Sequence, residues 1–226
     1  MDLDSMQRIL EQSTAEGRPI WEIVLDADVE NRMTTREASM EKMRATWRAM
    51  VESAEGYDGD RRSLSGLVGG DGERMRAYYA DHESIGGAFL GEVIAAALSM
   101  GENNACMRRI VAAPTAGACG VLPAVLIPLW RRKKIPEERM LEALYVTCAI
   151  GSVIASRASI SGAAGGCQAE IGSASAMAAG ALTYLQGGTS RQICHSVAMA
   201  LKNLMGLICD PVAGLVEVPC VKRNVI

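Results

Sequence analysis

Residues 161–190 read SGAAGGCQAEIGSASAMAAGALTYLQGGTS, and from Ile171 to Ser190 no residue is charged. That window is long enough to raise the question of a membrane span. A second uncharged window, residues 111–130, VAAPTAGACGVLPAVLIPLW, raises it again. Neither fits a span. The first is mostly Ala, Gly and Ser and ends in Gln186-Gly187-Gly188; the second carries Pro114, Pro123 and Pro128. Both lack the Leu, Ile and Phe density that favours insertion. Small residues on a helix let neighbouring backbones approach closely, so buried, tightly packed helices are expected instead. The short apolar pieces VEV at 216–218 and IVAA at 110–113 are too brief to found a sheet. The expected fold class is all-α, a compact helical catalytic domain with Gly-rich loops at helix N-termini.

Outward from this stretch, composition shifts once, from a charge-rich, amphipathic first third to a small-residue, apolar remainder. The shift marks a shell and a core in one domain, residues 1–226, with outer helices in 1–57 and the core in 58–226. Asp4 to Ala15 and Ile20 to Asn31 read as short helices separated by Gly17-Arg18-Pro19. Thr34 with Glu37 reads as a capping box opening a longer helix to about Tyr57. In that helix Met40, Met43, Trp47, Met50 and Val51 recur at helical spacing, as a core face does. Further helices are expected at Ser84 to Met100, Gly117 to Trp130 and Pro136 to Arg157, the last opening on Pro136, Glu137 and Glu138.

A length of 226 residues suffices for a sizeable core. With 23 basic against 26 acidic residues, a net charge of −3, one Phe and three Trp, nothing suggests a nucleic-acid footprint. The acidic start MDLDSMQ does not read as a signal peptide. Seven cysteines, an odd number, then suggest a reduced thiol set and a cytoplasmic location.

Three of these cysteines, Cys167 in GGCQAE, Cys209 in LICDPVAG and Cys220 in EVPC, lie in contexts dense in Gly, Pro and small residues. Three thiolates meeting in space would bind one metal centre with a ligand position left open, which makes a Lewis acid rather than an electron relay. The spacing matches neither a ferredoxin run nor paired zinc knuckles, so packed apolar cysteines explain it equally well. Cys106, Cys148 and Cys194 fall inside expected apolar helices, where packing is their reading. Cys119 borders a candidate site.

Three small-residue segments precede expected helix starts: PTAGACG at 114–120, SGAAGG at 161–166 and the GGCQAEIG turn. Helix N-termini favour a carboxylate, so a small anionic substrate competes here with simple close packing. The loop YDGDRRSLSGLVGGDG at 57–72 is rich in Gly and Ser but lacks the lysine and spacing of a phosphate loop.

The segments VAAPTAGACGVLPAVL, SGAAGGCQAEIGSASAMAAG and KNLMGLICDPVAGLVEVPCVKRN resemble the alpha chain of iron-sulfur-dependent L-serine dehydratase, the two-subunit type. The resemblance runs from SLSGLVGGDG onward. It implies an all-helical catalytic domain, a [4Fe-4S] cluster ligated by Cys167, Cys209 and Cys220, and conversion of L-serine to pyruvate and ammonia. The family's catalytic chain continues through further helices after PCVKRN, so a C-terminal truncation at Ile226 is expected. Its single-chain relatives carry a Ser-His-Thr substrate loop in a separate domain. No such triplet occurs here, which assigns that loop to a beta subunit. The substrate carboxylate is expected at Ser63, Ser65, Gly69, Thr115 and Gly117.

No base is assigned. His82 and His195, the two histidines, read as structural, and Cys119, Asp210 and Lys202 are further candidates. Glu170, three residues after Cys167, reads as a capping or supporting group. Three rivals stay open: a PLP-dependent dehydratase, for which no lysine has a phosphate cup nearby; an iron-sulfur L-cysteine desulfidase; and an iron-sulfur or zinc structural subunit.

Overall fold

The computed structural model describes residues 4–82 and 85–203, and within them the chain is helical with no strand. The elements are α1 (Met6–Glu16), α2 (Ile20–Arg32), α3 (Arg36–Glu55), α4 (Asp71–Asp81), α5 (Gly87–Ala105), α6 (Val121–Lys133), α7 (Glu137–Arg157), α8 (Gly162–Leu185) and α9 (Ser190–Asn203). The expected all-α class is what these residues form.

The first helices begin and end where local chemistry dictates. Gly17, in the left-handed region at φ 64°, ends α1, and Pro19 precedes α2, where its missing N–H costs nothing. The cap of α3 is Thr35, not Thr34: the Thr35 hydroxyl accepts from the Ala38 N–H at 3.2 Å. The shift by one residue places Thr35 three positions before Ala38, the geometry an N-cap needs. The Glu37 carboxyl, at the positive end of α3, is held below its ordinary range, by its backbone hydrogen bond first and the Thr35 hydroxyl second.

The expected helix from Gly117 to Trp130 is two elements, a 3-10 turn at Ala116–Ala118 and then α6. The reason lies in Gly117 and Gly120, which favour no continuous helix, and Pro123, which suits a first turn. Pro128 inside α6 is tolerated in the core. Helix α4 had no expectation, because GERMRAYYAD has no apolar stripe. Tertiary contacts hold it instead. The buried Glu102 carboxylate, 1 % exposed, accepts from the N–H groups of Asp71 (2.7 Å) and Gly72 (3.2 Å) at the start of α4 and from the Tyr57 hydroxyl (2.5 Å). Further along, the Tyr79 ring lies across Gly91 of α5, so close that a Cβ there would overlap it.

Helix α7 runs through the core, against α2 and α3 on one side and α8 on the other; α8 also packs on α6 and α9. Small residues set these approaches. A Cβ on Gly180 of α8 would come within 2.3 Å of Ile150 on α7 and 3.3 Å of Val197 on α9. Trp47 of α3 meets Trp130 of α6 edge to face, centroids 5.4 Å apart, and Trp47, Met140, Leu141 and Ile150 are fully buried. Each such side chain contributes about 1.5–3 kcal/mol relative to exposure. Among the described residues α7, not either uncharged window, is the helix long and apolar enough to cross a membrane, and more than half of it is buried inside this bundle.

Candidate functional site

Helix α8 is two helices joined at a break. Ser161 caps the first turn, its hydroxyl accepting from the Ala163 N–H at 3.2 Å, and that turn is mostly exposed. At Gly166 the backbone swings to φ 71°, ψ −177°, a conformation L side chains avoid, and the main helix starts anew at Cys167. Cys167 is therefore the first residue of a long buried helix, 2 % exposed, at the end that favours a negatively charged group.

One turn further on, Glu170 turns to the segment before α6. Its Oε1 accepts from the Thr115 hydroxyl at 2.5 Å. Its carboxylate rests against two glycines from different segments: a Cβ on Gly117 would stand 2.4 Å from Oε2, and one on Gly162 2.8 Å from it. Thr115, Gly117, Gly162 and Glu170 thus converge from three stretches of chain. Asn104 of α5 ties the same segment down, Nδ2 donating to the Ala116 carbonyl at 3.0 Å.

The last turns of α5 connect this cluster to the Gly-rich loop at 56–70, because Glu102 anchors the loop's exit, and the Cys106 thiol is pushed up by burial first and the Glu102 charge second, against the pull of Arg62 and Arg61. Within the loop the Ser63 N–H donates to the Val68 carbonyl at 2.9 Å, the Val68 N–H to the Ser63 hydroxyl at 3.3 Å, and the Ser63 and Ser65 hydroxyls lie 3.1 Å apart. Ser63 is buried and Ser65 exposed. Gly69, at φ 142°, passes so near the Arg61 carbonyl that a Cβ would reach within 2.1 Å of it, so its glycine has a reason in the turn itself.

The remaining candidates separate cleanly. Cys119 is fully buried and donates to the Met100 carbonyl (Sγ···O 3.6 Å); burial pushes its thiol up to about 12, with the Glu170 charge adding to the shift. His82 caps the C-terminal end of α4, exposed and stacked on Tyr78 at 4.5 Å. It is one helix length, ~16 Å, from the α4 end that Glu102 holds. His195 and Lys202 lie on exposed positions of α9, and Lys42, Lys133 and Lys134 are likewise exposed. The packed reading of three cysteines needs correction. Cys106 is half-buried at the end of α5, and Cys194 is half-buried on α9. Cys148 is open to a cavity of about 470 Å³ between α2, α3 and α7, with Asp28 and Lys42 on its wall. Cys106 lies just past the last turn of α5, and the α7 face that carries Cys148 opens on that cavity.

Cys209 and Cys220 lie outside the described residues, as does Asp210. Among the described residues no three His, Cys, Asp or Glu side chains are arranged to hold a metal ion. Sequence reasoning missed Gly162 and Asn104 and gave Glu170 a lesser part. One signal marked Glu170: it is the single charged residue between Arg157 and Arg191.

The model of the family described as "Serine dehydratase alpha chain" matches residues 15–226. The "L-serine dehydratase, alpha chain" of Peptoniphilus asaccharolyticus is 38 % identical over 223 residues, 98 % of this chain and 76 % of that one. The "Probable L-serine dehydratase, alpha chain" of Bacillus subtilis is 42 % identical over 206 residues, 91 % of this chain and 68 % of that one. An "L-serine dehydratase" of Mycobacterium tuberculosis is 46 % identical over 134 residues, 58 % of this chain and 29 % of its own. With the match spanning every element from α2 to α9, the chain belongs to the serine dehydratase alpha chain family, and with it to the lyases.

Proposed function

We propose that this chain is the alpha subunit of an L-serine dehydratase that converts L-serine to pyruvate and ammonia, with a [4Fe-4S] cluster held by Cys167, Cys209 and Cys220. The observation that carries the reading is the meeting of Thr115 and Gly117 with Glu170, one turn beyond Cys167, inside the stretch matched to the family. The donor set suits the cluster: Cys167 is buried at the start of a helix, and three thiolates leave one iron without a protein ligand. When bound, such a cluster supplies Lewis acidity to the departing hydroxyl.

The chain's own groups hold the rest of the substrate. The backbone at Thr115–Gly117 and the Ser63, Ser65 and Gly69 loop are the receptors we assign to the substrate carboxylate. Cys119, its thiol raised to about 12 by burial, stays protonated at neutral pH and fills space rather than accepting a proton. Loss of water across Cα–Cβ gives 2-aminoacrylate, which tautomerises and hydrolyses to pyruvate and ammonium.

A beta subunit completes the site in this reading. Leu64 and Leu67, 96 % and 61 % exposed, sit on the same loop as Ser63 and Ser65 and offer apolar surface to a second chain. We place the enzyme in the cytoplasm, on the odd number of cysteines in the sequence. The test is an anaerobically prepared complex of the protein with its beta chain, assayed for pyruvate from L-serine and for iron, sulfide and zinc content. Pyruvate with iron and sulfide in equal amounts is expected. Sulfide release from L-cysteine without serine turnover would make the protein a desulfidase, and zinc without activity a structural subunit.

A further inference from the structure

Two carboxylates are buried near the end of α5 and the start of α8, and they are provided for differently. Glu102 receives two backbone N–H groups at the positive end of α4 and the Tyr57 hydroxyl. Its charge is met inside the chain. Glu170, 9 % exposed, receives the Thr115 hydroxyl, yet among the described residues no lysine, arginine or histidine forms an ion pair with it. Buried charges in proteins are stable chiefly where an opposite charge or hydrogen bonds meet them. The glycines at 117 and 162 let the backbone come close to this carboxylate, since a Cβ at either would stand within 3 Å of Oε2.

We propose that Glu170 is the acceptor for the α-ammonium group of the substrate, so that the bound amino acid brings it the positive charge that no described residue does. The proposal rests on the serine dehydratase reading above. Its geometry follows from Thr115. The ammonium nitrogen and carboxylate carbon of an α-amino acid share one carbon and lie only ~2.5 Å apart. Their receptors must therefore adjoin. The Thr115–Gly117 backbone and the Glu170 carboxylate do, joined by the 2.5 Å bond from the Thr115 hydroxyl. The same arrangement selects against 2-hydroxy acids, which bring a carboxylate but no cation to Glu170. A charge-assisted hydrogen bond of this kind separates the two ligand classes by about tenfold to a hundredfold.

The test compares L-alanine with L-lactate, which differ only in the α-substituent and have no hydroxyl on Cβ to lose. Calorimetric titration of each into the alpha–beta complex reads binding without turnover. The wild-type complex is expected to bind L-alanine at least about tenfold more tightly than L-lactate. In Glu170→Gln the two constants should converge to within about threefold through weaker L-alanine binding, while Glu170→Asp keeps the preference. Equal binding of both ligands by the wild-type complex overturns the proposal, whatever the variants do. So does a Glu170→Gln variant that weakens both ligands equally, or one that keeps the preference while kcat for L-serine collapses at unchanged KM, which would make Glu170 a proton carrier. Wild-type preference for L-alanine in a complex that produces no pyruvate from L-serine would instead overturn the reaction and leave the ammonium receptor standing.

Discussion

Gly117 leaves no room for a side chain beside Glu170. A methyl group there would stand 2.4 Å from Oε2 of Glu170, well inside van der Waals contact, and the carboxylate has no slack because Thr115 holds its other oxygen. Gly117→Ala is expected to lower kcat/KM for L-serine by about a hundredfold, the scale on which an ångström of misplacement acts, with little change in thermal midpoint. Steady-state kinetics beside a melting curve check both halves. Cys119 yields a different expectation. Its folded-state thiol titrates near 12, above an unfolded cysteine's ~8.5, so the folded chain keeps a proton that the unfolded chain loses. Its contribution to stability is whole below pH ~8.5 and is lost as pH rises toward 12. Denaturant titrations between pH 8 and 11 should therefore show stability falling, and Cys119→Ala should flatten that fall.

At the scale of elements, α4 depends on one carboxylate from another helix. Glu102→Ala removes the acceptor for the Asp71 and Gly72 N–H groups and the Tyr57 hydroxyl together, leaving donors buried. A loss of about 2–4 kcal/mol is expected. Hydrogen exchange should rise first in α4 and the 56–70 loop while α7 and α8 stay protected. Dependence of this sort is also why α4 was illegible from sequence. Elements with their own punctuation could be read: α2 starts at the expected Ile20 behind Pro19, and α7 follows Pro136 to Arg157 as expected. Where the start depends on a distant partner, as for Asp71 on Glu102, local pattern carries no signal. The candidate site divides in the same way. Cys167, Thr115, Gly117 and Gly162 all stand in recognisable Gly-rich contexts, but that Gly162 meets Glu170 beside Thr115 and Gly117, 55 and 53 residues before that carboxylate, is decided by the fold alone.

For the whole molecule, the proposed cluster joins α8 to residues far along the chain through Cys209 and Cys220. Replacing Cys167, Cys209 or Cys220 singly by Ser is expected to abolish iron and sulfide loading in anaerobically reconstituted protein, while Cys148→Ser and Cys194→Ser retain it. Elemental analysis with sulfide assay decides, and a Cys209 variant with full iron and sulfide would overturn the ligand assignment. Reporting on the folded state apart from the cluster calls for another probe, and the Trp47–Trp130 contact provides one. Two indole rings held edge to face at 5.4 Å across α3 and α6 form a fixed chiral pair, of a chain total of three tryptophans. Coupled rings in a rigid, asymmetric setting give near-ultraviolet circular dichroism that free side chains lose. The protein thus carries its own optical gauge of whether the outer helices are docked, readable in metal-free samples.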